Sequence, residues 1–471
     1  MKLKINRANL IVIFSLIVLW LLGLLVFDNY YKAVELELVF TYLIVFLFIG
    51  RNNGFYGETS LFLMTYGLFL CSHPFMDLIG ISKLNESSKL MYSFVVMPEE
   101  CLIEALNAII ITLITIMLTN SLFDSKQVNL SYCMKDRGLP KYFRRFFIIV
   151  FILALVFRIA EAVTFQLMGS SYLDLFAENY TNKSLDKFSF IVTFFEVLFY
   201  IALAQNTVKS ETKLYIFLYL FTYIPLLVMG RRAPIIVSLI FVVWYYCNFI
   251  NKIKFCYILP TALLVVFASE VVGDFRNNNV ITSNSLSVIN FIESQNGTFY
   301  LVAMVSFLYD TLQAENTIGI PYFLGMVHKF LVYVFDRITF TDSVFGHGQS
   351  IAALNSSSYL GWKLTYLLAP HQYILGRGVG SSFVAENFLF YKYFGCVVLT
   401  FLMFYLIYWL KNKFISGNNI YLSCMFFVVV KSLFFSPRNN FWICISSIAL
   451  VTLVVFIYEI LMPRIFKHKQ T

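Results

Sequence analysis

Residues 10–27 read LIVIFSLIVLWLLGLLVF, eighteen positions without one charged side chain. A hydrocarbon layer of roughly 30 Å takes about 20 apolar residues in helical form, because a helix satisfies its own backbone where no water can. Runs of this kind recur along the chain. Spans are expected at 10–27, 34–50, 61–79, 101–118, 146–168, 188–204, 214–229, 233–250, 255–272, 394–410, 420–435 and 441–461. The third is interrupted by His73, Pro74 and Asp77. Of 471 residues 59% are apolar, 18% aromatic and 13% charged, which leaves no soluble domain of ordinary size. The expected fold is therefore all-α, a polytopic transmembrane helical bundle of about 12 spans.

Lysines and arginines set the orientation, since carrying them across the bilayer is costly. With the N-terminus inside, 19 of the 35 fall on inner segments and 14 on outer ones, six of these spread over a single loop. Both termini are then cytoplasmic, and MKLKINR with the run behind it is an uncleaved first span, no small-residue cleavage site following it. The net charge of +9 reflects topology and gives no reason to expect nucleic acid as a partner. The eight cysteines avoid the long outer loop, so neither a disulfide framework nor a zinc site is expected.

Connections are short except one, from 273 to 393, which is 121 residues long and periplasmic by this topology. The chain divides into nine N-terminal helices (1–272), this loop (273–393), and three C-terminal helices with a basic cytoplasmic tail (394–471). Inside the loop, 299–309 and 318–335 are semi-apolar and are expected to lie along the membrane surface, apolar side down. There is no internal repeat of the kind that paired-repeat transporters carry.

Six arginines fall on the outer side: Arg231 and Arg232 in GRRAP, Arg276 in GDFRNNN, Arg337 in FDRITF, Arg377 in GRGVGSS and Arg438 in SPRNN. A guanidinium grips phosphate oxygens through a planar fork, each charge-assisted bond being worth roughly 1.5 to 3 kcal/mol. Their convergence would suit a lipid-linked pyrophosphate; taken singly, each could equally anchor a helix end to headgroups. The stretch LGRGVGSSFVAEN lacks the GK[ST] of a phosphate loop. Gly376, Gly378 and Gly380 permit close backbone approach, and Ser381 and Ser382 are placed to cap a helix from Phe383, whose amides favour an anion. The competing reading is a tight re-entrant turn required by packing.

Glu386 and His371 are the two candidates for a general base near this turn. Within the spans, Arg158, Glu161 and Glu196 are ionisable groups at a depth that costs around 2.5 to 3.5 kcal/mol each, so they face partners or a wet cavity. A structural clamp between Arg158 and Glu196 and the lining of a polar cavity are both open. No Asp-x-Asp, HExxH or zinc-ligand spacing occurs, which argues against a metal-dependent enzyme using nucleotide sugars.

The dozen spans, GRRAP opening one, FRNNN closing another before the long loop, and LGRGVGSSFVAENFLFYKYFG closing that loop resemble the O-antigen polysaccharide polymerases of bacterial inner membranes. The resemblance implies a GT-C-like fold in which a periplasmic loop covers a cavity between helices. It implies glycosyl transfer at the outer face of that membrane, from a growing chain on undecaprenyl pyrophosphate to a single lipid-linked repeat unit, with no cofactor and no metal. Its partners would be undecaprenyl-pyrophosphate-linked glycans, membrane lipid and, as a candidate, a chain-length regulator. On this resemblance Arg232, Arg276 and Arg377 bind the anion, while His371 and Glu386 compete as base. A lipid-linked oligosaccharide flippase and an O-antigen ligase are the alternative readings; short loops and similar halves would mark the former, and the long loop speaks against it.

Overall fold

The computed structural model describes residues 7–26, 30–84, 96–123, 139, 141–167, 190–205, 208–228, 233–253, 292, 295, 297–339, 345, 349–416 and 419–467, and among these no strand occurs. The first part contains α1 (Arg7–Val26), α2 (Tyr31–Asn53), α3 (Glu58–Tyr66), α4 (Ser72–Leu78), α5 (Glu99–Phe123), α6 (Lys141–Leu167), α7 (Phe190–Gln205), α8 (Lys209–Phe221), α9 (Ile224–Val228) and α10 (Ala233–Tyr245). The 273–393 stretch holds α11 (Gly297–Phe307), α12 (Tyr309–Ala314), α13 (Gly325–Ile338), α14 (Ile351–Asn355), α15 (Leu360–Leu368), α16 (Pro370–Ile374) and α17 (Phe383–Leu389). Then follow α18 (Lys392–Ser416), α19 (Ile420–Phe435) and α20 (Cys444–Lys467).

Among the described residues, seven helical segments are long and apolar enough to cross a membrane: Tyr31–Asn53, Glu58–Leu78, Glu99–Phe123, Tyr142–Thr164, Ala233–Ile250, Lys392–Ser416 and Ile420–Arg438. Shorter apolar helices at Asn9–Leu25, Phe190–Gln205 and Cys444–Glu459 fall on three more of the expected spans. The protein is an all-α, multi-pass membrane protein. The expected span 255–272 lies outside the described residues. That at 214–229 is broken between α8 and α9, because Pro225 has no N–H to offer the Phe221 carbonyl.

The interrupted third span runs on from α3 to α4 through a π turn at Gly67–Cys71, just ahead of Pro74, which cannot donate to the Leu70 carbonyl. Tyr42 wedges in at this point: its hydroxyl donates to the Leu63 carbonyl (3.2 Å), and a Cβ at Gly67 would strike its ring. Helix α5 is apolar all round and forms the axis of the bundle, 83% of its apolar window being buried against only 28% for α6. The outward face of α6, with Ile149, Ile152, Val156, Ile159 and Val163, is left for lipid.

The 273–393 stretch departs from expectation at 299–309. That segment forms α11, buried from Thr298 to Ser306 and packed on α5, α17 and the π turn instead of lying along the surface. Its sequence has no polar face to turn to water, so it goes inside. The Tyr300 hydroxyl bonds His73 Nε2 (3.0 Å) and the Leu84 carbonyl (3.2 Å). By contrast α13 exposes Leu331, Phe335 and Ile338 at i, i+4 and i+7, an apolar stripe along one side. Phe345, Trp362 and Tyr373 centre a separate small core, over which Lys329 stacks 3.6 Å from the Trp362 ring centroid.

Helix α17 is buried along its whole length. Its first residue, Phe383, packs its ring on Phe62 (5.9 Å) and Tyr66 (6.2 Å), and Phe62 in turn meets Phe404, twelve residues into α18. From there the helix climbs back to exposed Tyr391 and Phe394 and reverses into α18. Tyr391 and Lys392 take positive φ at the reversal, and a Cβ on Gly395 would overlap the carbonyl oxygens of Phe390 and Asn387.

Candidate functional site

A cavity of about 370 Å³, within the size range of ligand sites, opens between α6, α7, α10, α19 and α20. Val197, Val237, Leu450 and Val451 make part of its wall apolar. The rest is polar: Arg158, Glu196, Tyr200, Tyr223, Lys431, Ser432, Asn439 and Asn440 all reach it.

The charges are arranged in pairs. Glu196 Oε1 accepts from the Lys431 ammonium (2.5 Å) and from the Tyr200 hydroxyl (2.6 Å). Lys431 also donates to the hydroxyls of Tyr219 (2.9 Å) and Tyr223 (3.2 Å), so all three of its protons have acceptors. Tyr219 and Tyr223 stand one turn apart and are themselves joined by a hydrogen bond of 3.1 Å. Arg158 pairs with Glu161 (2.9 Å), one turn away on α6. The clamp between Arg158 and Glu196 is therefore not a direct contact: each has a nearer partner of opposite charge, and both line the cavity. The wall itself carries two cations against one carboxylate.

Two of the sequence motifs end at this cavity. Ala233 and Pro234, which close GRRAP, line it at the start of α10, and Asn439 and Asn440 of SPRNN line it from the far side. Asn440 is buried, accepts the Ile443 N–H (3.1 Å) and donates to the Phe323 carbonyl (2.9 Å), fixing the entry to α20. Arg438 donates to Gln295 and lies over the Phe69 ring, 5.6 Å from its centroid.

Glu386 sits behind Asn440, 1% exposed, its Oε1 accepting from the Ser381 hydroxyl (2.6 Å). Burial pushes its carboxyl up to about 8, with Ser381 and the neighbouring Asn440 amide easing that only in part. At neutral pH it is mainly a neutral acid. Ser382 occupies the N-cap position of α17, which begins at Phe383, but its hydroxyl makes no capping bond; Ser381 bonds the glutamate instead.

The glycines before α17 have separate tasks. Gly376 (φ +78°) donates to the Tyr373 carbonyl and Arg377 to that of Gln372, both at 2.9 Å, which is a Schellman stop to α16. Gly378 is exposed and has only ordinary contacts around a would-be Cβ. Gly380 (φ +85°) brings its carbonyl within 2.7 Å of where a Cβ on Gly361 would stand. The turn is thus shaped by packing, with Val379 N–H bonded to Thr365 Oγ1 (3.1 Å).

His371 is exposed and Arg377 half-buried at the end of α16, and neither lines the cavity. Arg231, Arg232 and Arg276 lie outside the described residues, and Arg337 is described only as part of the α13 backbone. Sequence reasoning passed over Lys431 as a site residue, although a lysine inside the apolar span 420–435 carries the same signal that picks out Glu196. Tyr200, Tyr219 and Tyr223 gave no signal of their own, since tyrosine is common throughout the chain.

Compared with known families, the chain is matched over residues 8–470 by the model described as O-antigen polysaccharide polymerase Wzy. No match was found among curated proteins or among solved structures.

Proposed function

Because the chain belongs to the O-antigen polysaccharide polymerase family, we propose that it joins lipid-linked oligosaccharide repeat units at the periplasmic face of the bacterial inner membrane, with undecaprenyl pyrophosphate as the leaving group. The observation that carries this reading is the meeting of the last two residues of GRRAP with those of SPRNN, some 200 residues apart, at one cavity whose wall combines cations with apolar side chains. A polyprenyl pyrophosphate has the same division: an aliphatic tail and a head whose negative charge grows as the sugar departs. Arg158 brings a cation to the wall where that head would lie, and Lys431, whose protons are held by Glu196, Tyr219 and Tyr223, adds charge there without bonding the head. Arg231 and Arg232 directly precede two wall residues, Arg438 precedes two more, and these three arginines complete the anion site in this proposal. Arg377 and His371, at the end of α16, are assigned to the sugar chain beyond the head. Such a transfer draws on side-chain cations and a lipid-borne donor, without metal or nucleotide.

The test is a lipopolysaccharide gel from cells lacking the gene, complemented with wild type or Arg232→Ala at matched membrane levels. The expected result is lipid A core bearing one repeat unit in the deletion strain, a full ladder with wild type, and no ladder with Arg232→Ala. Loss of even the single repeat in the deletion strain would sink the polymerase reading in favour of a ligase or flippase.

A further inference from the structure

We infer that Glu196 is the group that takes the proton from the acceptor hydroxyl. The inference rests on the polymerase reading of the cavity and names a residue that the motifs did not. Among the described residues Glu196 is the only carboxylate in the cavity wall. Among the described residues its two oxygens are treated differently: Oε1 accepts both protein hydrogen bonds, from Lys431 and Tyr200, while Oε2 accepts none. The side chain is 28% exposed although it stands in the middle of an apolar helix, and the surface it exposes is cavity surface. One oxygen is held and the other is left without a protein donor among the described residues, on a side chain that lines the cavity. That is the division a positioned base requires.

The other candidates lack this geometry. Glu386 is closed off by Asn440 and spends one oxygen on Ser381. Glu161 is paired with Arg158 and does not reach the wall. His371 points to solvent at the end of α16. In the step assigned to Glu196, the acceptor oxygen bonds to the anomeric carbon of the donor and its proton passes to Oε2. The anomeric C–O bond breaks, and its electron pair leaves with undecaprenyl pyrophosphate. The proton is then released to solvent. Lys431 and Tyr200 are positioning residues in this account, because they hold Oε1.

The test uses the full chain in lipid nanodiscs with a synthetic undecaprenyl-pyrophosphate-linked repeat unit, measuring both polymer formation and binding of that substrate. Glu196→Gln keeps the shape and the acceptor for Tyr200. It is expected to lower the rate by about 100-fold or more, the range of general-base catalysis, with binding within about threefold of wild type. Glu196→Asp should recover part of the rate. The exchanged pair Glu196→Lys/Lys431→Glu separates chemistry from ion pairing: it should fold and stay inactive. Glu196→Gln polymerising within about threefold of wild type would overturn the inference, and so would activity in the exchanged pair. If wild type makes no polymer, the polymerase reading fails and takes this inference with it; an active wild type beside an active Glu196→Gln sinks the inference alone.

Discussion

The Lys431 ammonium lies 2.5 Å from Glu196 Oε1, joining two helices across 235 residues of sequence in the interior of the bundle. Neither charge would be tolerated there alone, and each is the reason the other can stay.

Removing one partner should therefore cost more than removing both. Lys431→Met leaves the carboxylate without its counter-ion and should destabilise the detergent-solubilised protein by about 3 kcal/mol, the low end for a broken buried pair. Lys431→Met/Glu196→Gln should regain most of that loss without regaining polymer. Thermal unfolding and the lipopolysaccharide ladder, measured on the same three proteins, check both parts.

Glu386 should give the fold a pH dependence of definite sign. Its carboxyl is raised in the folded state, from an ordinary 4.5 to about 8, so the folded chain holds this proton where the unfolded chain has lost it. Its contribution to stability is complete below about pH 4.5 and is lost as pH rises through about 8. Glu386→Gln, which mimics the neutral acid, should flatten that slope and still give a ladder at pH 7. An inactive but well-folded Glu386→Gln would show instead that the ionised form has a task in the chemistry.

Lys329 has the opposite sign. Burial lowers its ammonium from 10.5 to about 8, so the folded state holds the proton less well and gains stability as pH rises from about 8 to 10.5. Lys329→Met, which keeps the contact with Trp362 and discards the charge, should raise the melting temperature at pH 7 and remove the gain above pH 8.

Gly395→Ala should fail to accumulate in membranes. The added methyl meets two carbonyl oxygens of the backbone, which cannot swing away as a side chain would. Overpacking of this kind costs about 1 to 3 kcal/mol where neighbours can yield, and here they are fixed by the reversal at Tyr391 and Lys392. Gly378→Ala, with nothing closer than 3.8 Å, is the matched control and should be neutral. Membrane protein levels by blot decide between them.

How far the sequence could be read followed the range of the forces involved. A helix such as α5 is set by a local run of apolar residues, and the expected 101–118 lies wholly inside the observed Glu99–Phe123. Glu196 and Arg158 stood out individually because charge in an apolar span is conspicuous. The partner of Arg158 is Glu161, three residues on and legible as such, whereas that of Glu196 is not, since nothing in the string of letters says that its span touches the one with Lys431. The glycines are ambiguous for a related reason: Gly376 ends a helix and Gly380 supplies a positive φ, tasks that look the same in sequence as cradling an anion. Apolar 299–309 was assigned to the surface for its shortness, whereas its lack of any polar face better foretold burial.

The burial of α17 bears on how the chain is put together. It is seven residues long, carries Glu386 and Asn387, and follows two serines, so it has no means of partitioning into lipid unaided. Its slot is made of α5, α11, α18 and the turns at Tyr322–Leu324 and Ser436–Arg438, and both α18 and the second turn are synthesised after it. Burial of α17 is accordingly expected to be a late event in biogenesis, following the synthesis of α18, α19 and the turn at Ser436–Arg438. Until then the segment 376–389 of a ribosome-bound nascent chain is expected to be open to protease, and its protection would mark the closing of that slot.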